Sequence, residues 1–388
     1  MKPMRIAFVI TGLSMGGAEN QVITLADRLA SLGNVVIVIS MTGEQLVHSQ
    51  HKDVRVESLY MARDPISFLR AYLRARALLR AFSPDVVHSH MVHANLFARL
   101  LRMTTPMGRL ICTAHNSNEG GAVRMLAYRL TDPLADISTN VSDEAVQAFI
   151  RRGAVRSGRM ITMYNGIDCA RFRFSPEDRE RLRGELGAGG DTQVLLAVGR
   201  FTEQKDYGNL LRAFARVCAA CTDCVLWIVG TGDARTSLES TARTLGVAGR
   251  VRFLGLRHDV PSLMSAADIY VLSSAWEGMP LVIGEAMACE RVVVATDAGG
   301  IREWLGDAGF VVPVRDSEAL ARGLHAALTL SSEEKRARGT AARRRVACWF
   351  SLDAAVARWL QVYRGPIFRP DRLPGKPVMD TNLEQGNE

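Results

Sequence analysis

A chain of 388 residues, 48% hydrophobic and 23% charged, is too long for one ordinary core and too apolar for disorder, so two domains are expected. The formal net charge of +8 lies wholly in residues 1–175, with 21 Lys+Arg against 13 Asp+Glu, while the remainder holds 27 of each. That asymmetry calls for an anionic partner of the first half, such as a lipid surface or nucleic acid.

At the N-terminus two basic residues precede the apolar run IAFVI. The run is shorter than the core of a signal peptide and passes at once into glycine-rich sequence, so it reads as a buried first strand. RIAFVIT, VVIVIS, DVVHSH and RLICTAH are the predicted strands of the first half. VLLAVG, VLWIVG, VRFLG, DIYVLSS and RVVVAT are those of the second. Each is a short, continuous apolar run divided from the next by a helical stretch, the pattern of parallel sheets covered on both faces. The fold class is therefore α/β, with two doubly wound domains in tandem. Residues 1–168 form the first and 191–350 the second, with a charged linker at 169–190. A last helix is expected at about 351–365, and the Pro- and Gly-rich stretch 366–388 as a loosely ordered tail.

No apolar run approaches the length of a membrane span, so a cytoplasmic protein is expected. The seven cysteines have no disulfide spacing. Cys218, Cys221 and Cys224 are evenly spaced but have no second Cys/His pair nearby, which fits reduced thiols better than a metal centre.

Ligands of open parallel sheets bind beyond the carboxyl ends of the strands, and the unusual residues of this chain collect there. Gly16-Gly17 opens the first helix; it fits a tight turn equally with a phosphate at a helix N-terminus. DVVHSH ends at His90, and RLICTAH at His115 followed by Asn116; His115 leans towards a site because small polar residues surround it. VLLAVG runs into Gly199, Arg200 and Lys205. With five lysines beside 43 arginines, a lysine near an arginine here stands out, and the two cations suit a diphosphate. In WEGMPLVIGEAMA, Glu277 and Gly278 precede a helix expected to take Pro280 in its first turn, with free amides at 279–282 for an anion. Glu285 falls among small apolar residues, and a buried carboxylate there needs hydroxyl donors.

In this order, GGAE, HSH, TAHN, YNGID, VGRFTEQKD, VGTGD and EGMPLVIGE resemble the retaining nucleotide-sugar glycosyltransferases of family 4 over residues 4 to about 364. The resemblance implies the GT-B architecture: two Rossmann-like domains facing each other across a cleft, with the last helix crossing back to the first. It implies that Arg200 and Lys205 hold the donor diphosphate, and that Glu285 receives the ribose hydroxyls. Glu277 would meet the transferred sugar beside the amides of Gly278, Met279, Pro280 and Leu281, although proline supplies none. Gly17 and Gly199 would also border the donor. His115 would lie by the reacting carbon; Gly16, Gly17, His90 and Asn116 would complete the acceptor side.

No D-x-D pair occurs, so metal-free transfer with retention is expected, without any cofactor. The implied acceptor is a lipid-linked glycan of lipopolysaccharide O-antigen, capsule or exopolysaccharide assembly. An epimerase on the same fold and a transferase with a soluble acceptor are the alternatives; a hydrolase using Glu277 and Glu285 would have no need of the basic pair.

The helical segment SFLRAYLRARALLRAF, residues 67–82, mixes four arginines with leucines and phenylalanines. It fits equally a core-facing helix and a membrane surface; the charge asymmetry favours an anionic membrane over nucleic acid, for which no binding module is present.

Overall fold

The computed structural model describes residues 2–117 and 119–365. In the first domain β1 (Arg5–Ile10) leads through α1 (Gly17–Ser31) to β2 (Val35–Ser40) and β3 (Arg55–Ser58). The chain then crosses back by α2 (Pro65–Phe82) to β4 (Val86–His90). It continues outward as α3 (Val92–Arg102), β5 (Arg109–Ala114), α4 (Gly121–Thr131), β6 (Ile137–Asn140), α5 (Asp143–Arg151) and β7 (Met160–Thr162). All pairings are parallel and the order is β3-β2-β1-β4-β5-β6-β7. Winding reverses between β1 and β4, where the register sets His90 beside Ile10.

The second sheet begins after α6 (Pro176–Glu185) with β8 (Gln193–Val198), α7 (Tyr207–Ala220), β9 (Cys224–Val229), α8 (Arg235–Thr244) and β10 (Val251–Gly255). It reverses through α9 (Val260–Ala266) to β11 (Ile269–Leu272), then runs through α10 (Leu281–Ala288), β12 (Val292–Thr296), α11 (Ile301–Leu305) and β13 (Phe310–Val312). Its order is β10-β9-β8-β11-β12-β13, again parallel. Three helices follow: α12 (Ser317–Leu328), α13 (Ser332–Trp349) and α14 (Leu352–Arg364).

Strand alternation explains the layers. Ile6, Phe8 and Ile10 pack with α1 and α14, while Ala7 and Val9 pack with α2 and α3 on the opposite face. In the second sheet Leu196 and Trp227 meet α9, α10 and α13, and Leu195 and Ile228 meet α7 and α12. Residues 169–190 belong to neither sheet but are folded on the second domain. There α6 lies against α9, and Arg179 and Arg183 bind Asp268 at 2.5 and 3.2 Å. From α13 the chain returns to the first domain as α14, which sets Trp359 4.3 Å from the His88 ring and pairs Asp353 with Arg28. The expected tail at 366–388 lies outside the described residues.

Four strands went unforeseen. β3, β7 and β13 are edge strands of three or four residues, and β6, ISTN, is polar although buried, so none carries a long apolar run.

Candidate active site

The carboxyl ends of the two sheets face each other and touch. Asn116, beyond β5, forms an antiparallel bridge with Gly278, beyond β11. Asn165 Nδ2 donates to the Met279 carbonyl at 3.3 Å. Glu303 of α11 accepts the amides of Asp143 and Glu144 at 2.9 and 3.1 Å, capping the N-terminus of α5 in the other domain. Gly278 is fixed by close approach: a Cβ there would lie 2.9 Å from the His115 carbonyl carbon. Gly17 meets only Leu281, 3.8 Å from where a Cβ would stand. At Gly16 the Glu19 carboxylate folds back beside the helix start, held by Ser14 Oγ at 3.0 Å.

Each sheet contributes the residues that follow its point of reversal. In the second, the chain after β8 turns through Gly199 and Arg200 to Lys205, and the chain after β11 delivers Glu277. Lys205 Nζ lies 2.6 Å from Glu277 Oε1, which also accepts Ser274 Oγ at 2.7 Å. Gln204 Nε2 donates to Oε2 at 3.1 Å. Glu277 is buried, so this is an ion pair shielded from bulk water, with Oε2 keeping room for one more donor. The two expected cations therefore differ in state. Lys205 is committed to Glu277, whereas Arg200 is exposed and has no ion pair or side-chain hydrogen bond among the described residues.

Glu285 lies just over one turn into α10, half-buried and without a hydrogen-bond partner among the described residues. Burial pushes its carboxyl up to about 7, opposed by the charge of Arg171. Pro280 sits just before the helix and not in its first turn. The Ile283 amide already bonds the Pro280 carbonyl at 3.3 Å, and the helix start leaves the amides of Leu281 and Val282 without carbonyl partners among the described residues.

A raised carboxyl carries a sign. Between its ordinary 4.5 and about 7, Glu285 binds more protons in the folded than in the unfolded chain, so its contribution to stability declines as pH rises through that window. A ligand whose hydroxyls donate to the carboxylate reverses that penalty. The affinity of such a ligand is expected to be full above about pH 8 and to fall up to about tenfold per unit as pH drops below 7. Isothermal titration across pH 6–8 checks this, and Glu285→Gln should flatten the profile.

The first domain supplies histidines. His90 is buried and its Nδ1 lies 3.0 Å from His115 Nε2. Burial holds His115 down to about 4, and burial with the neighbouring rings depresses His90 as well, so both are neutral near pH 7. One proton serves their hydrogen bond. His90 Nε2 has no hydrogen-bond partner among the described residues, and an orphaned lone pair costs less than an orphaned N–H. The favoured arrangement has His90 Nδ1–H donating, which leaves His115 protonated at Nδ1. The expected ¹⁵N spectrum therefore shows His115 as the Nδ1–H tautomer, and His90→Phe should release that preference. His88 is engaged elsewhere, with Tyr363 Oη at 2.8 Å and Thr113 Oγ1 at 2.7 Å.

Sequence reasoning missed the supports. Glu119, buried, accepts the His115 amide at 2.9 Å and the Tyr128 hydroxyl at 2.6 Å. Ser274, Gln204 and Asn165 were likewise given no role, although Asn165 lies in the YNGID motif, Gln204 in VGRFTEQKD beside Lys205, and Ser274 three residues before Glu277. All seven cysteines are free, and no group of His, Cys, Asp and Glu suited to a metal ion occurs among the described residues.

Two parallel-sheet domains whose carboxyl ends face each other, each with one reversal of winding, have the GT-B architecture. A family model described as glycosyltransferase family 4 matches residues 15–171, and one described as glycosyl transferases group 1 matches residues 192–329. D-inositol 3-phosphate glycosyltransferase of Geodermatophilus obscurus is 33% identical, spanning 76% of this chain and 70% of its own. The lipopolysaccharide core biosynthesis glycosyltransferase LpsE of Rhizobium meliloti is 26% identical over 80% of this chain and 84% of its own. The crystal structure of Anabaena HepE with UDP and glucose superimposes with a TM-score of 0.82 at 22% identity, covering 94% and 100% of the two chains. The chain belongs to glycosyltransferase family 4.

Proposed function

We propose that the enzyme transfers a sugar from a nucleoside diphosphate sugar to a lipid-linked glycan, with retention at the anomeric carbon and without a metal ion. The observation that carries this reading is the shielded Lys205–Glu277 pair, with exposed Arg200 five residues before the lysine and Glu285, which has no hydrogen-bond partner among the described residues, eight after the glutamate. Glu285 receives the ribose hydroxyls, and the free lone pair of Glu277 Oε2 receives a sugar hydroxyl. Lys205, with three N–H donors, bridges Glu277 and a phosphate oxygen, while Arg200 and the amides of Leu281 and Val282 take the rest of the diphosphate. As the bond from C1 to the phosphate oxygen breaks, these donors stabilise the growing charge. The acceptor oxygen bonds C1 on the same face, and its proton passes to the departing phosphate. His115 supplies a neutral ring at the reacting carbon.

A glycosidase reading would leave Arg200 and Lys205 without a task, and its free carboxylate would have to be Glu277, which three side-chain donors already engage. The two curated relatives differ in named role, one inositol phosphate and one lipopolysaccharide core, so they do not choose the acceptor; the cationic first domain favours a lipid-linked one. The cell location that follows is the inner face of the cytoplasmic membrane.

Slow donor hydrolysis without acceptor is the test, followed by proton NMR at the anomeric centre. An α-configured donor should first release the α sugar, at a rate unchanged by EDTA. Initial release of the β sugar, or loss of turnover in EDTA, would overturn retention or metal independence respectively; a rearranged nucleotide sugar would point to an epimerase.

A further inference from the structure

No helix among the described residues is long and apolar enough to cross a membrane. Yet the first domain turns an unusual face outward. α2, α3 and α4 lie side by side, Phe68 of α2 meeting Phe97 of α3 at 5.9 Å and Arg99 of α3 donating to the Tyr128 carbonyl of α4 at 3.2 Å. Their inner sides fill the core with Ala71, Ala75, Phe97, Leu101 and Tyr128. Their outer sides should then be polar. They are not. Ile66, Leu69 and Leu73 form an exposed stripe one turn apart on α2, and Val123, Leu126 and Leu130 repeat it on α4. Between them α3 exposes Leu100, and Met103 just beyond its end is exposed as well. Val123 is 82% exposed and Leu130 70%, so neither is half-covered core.

The charges around these stripes have one sign. The three helices hold eight arginines and no Asp or Glu. Arg74 is paired with Glu57, Arg99 with Asp132 and Arg102 with Asp136. Arg70, Arg76 and Arg129 have no ion pair among the described residues, where Arg80 and Arg124 donate to the carbonyls of Thr104 and Glu119. Of the border acids, Asp64 accepts the Ser67 amide and Glu57 also holds Arg55.

We infer that this three-helix face docks on an anionic lipid bilayer, its leucines and valine entering the headgroup boundary and its arginines meeting lipid phosphates. A second copy of the chain is a poor occupant, because opposing faces would set arginine against arginine with no carboxylate on the three helices to meet them. The inference deepens the membrane-side part of the proposed function, supplying α4 and a docking orientation, and is independent of the transfer chemistry.

Flotation of the full-length enzyme with vesicles tests it. Binding is expected to phosphatidylglycerol–phosphatidylcholine vesicles but not to phosphatidylcholine alone, weakening about tenfold between about 0.1 and 0.5 M salt. Leu126→Glu with Leu130→Glu, and separately Arg70→Glu with Arg129→Glu, should each reduce binding about tenfold while donor hydrolysis in solution and melting temperature stay unchanged. Failure to float with anionic vesicles, or equal flotation of both variants, would overturn the inference. A concentration-dependent dimer abolished by the leucine substitutions would assign the face to a second copy. Loss of donor hydrolysis in the native enzyme would count against the transfer reading alone.

Discussion

Lys205→Ala is expected to lower the transfer rate constant about 10²–10³-fold, the loss typical of removing one donor that stabilises charge on a leaving group. The structure adds a second consequence. Glu277 would stay buried with only Ser274 and Gln204 on its carboxylate, and an orphaned buried charge destabilises a fold by about 3–5 kcal/mol. Lost activity could then reflect lost fold. Pairing Lys205→Met with Glu277→Gln separates the two, because removing both charges should restore much of the melting temperature while turnover stays low. Recovery of turnover in the double variant would show that Lys205 acts only as a structural partner of Glu277.

Gly278→Ala should be nearly as damaging by a different route. Its Cβ would press on the His115 carbonyl, and both parties are backbone, so neither yields by turning a side chain. Relief requires the second domain to move away from the first at the Asn116–Gly278 bridge. A misplacement of about 1 Å between reacting groups can cost about 10²-fold in rate, and that loss is expected here, with thermal unfolding of the separate sheets little altered. Steady-state rates beside calorimetry distinguish this from general destabilisation.

Much of this was legible in the sequence because parallel strands buried on both faces write themselves as continuous apolar runs. VVIVIS and VLWIVG needed no further information. The interior strand β6 escaped because its residues serve hydrogen bonds: Ser138 holds Arg99 and Asp132, and Thr139 meets Thr113. The site was legible in outline, since polar residues at strand ends stand out once the strands are placed. Its pairing was not. Lys205 and Glu277 are 72 residues apart, and nothing local in either segment says that the expected diphosphate lysine holds the expected sugar carboxylate.

The outer face of α4 was hidden for a related reason. GAVRMLAYRLT has apolar residues all round, and only packing decides that Met125 and Tyr128 turn inward while Val123, Leu126 and Leu130 face out. On α2 the sequence reads equally as a core-facing helix or a membrane surface; the structure places Ala71, Ala75 and Leu79 inward and leaves Ile66, Leu69 and Leu73 exposed. Small residues let the helix sit close to the sheet, which is why the bulky ones remain outside.

Donor recognition is the centre of the proposed function, and isothermal titration reaches it without knowledge of the acceptor. UDP-glucose and a panel of other nucleoside diphosphate sugars should include at least one that binds the native enzyme at millimolar concentration or below. Glu285→Ala should weaken whichever binds by about 10–100-fold, as expected for lost hydrogen bonds to a charged group, and the free sugars should give no heat. Absence of binding across the panel, or unchanged affinity in Glu285→Ala, would contradict the donor site described here.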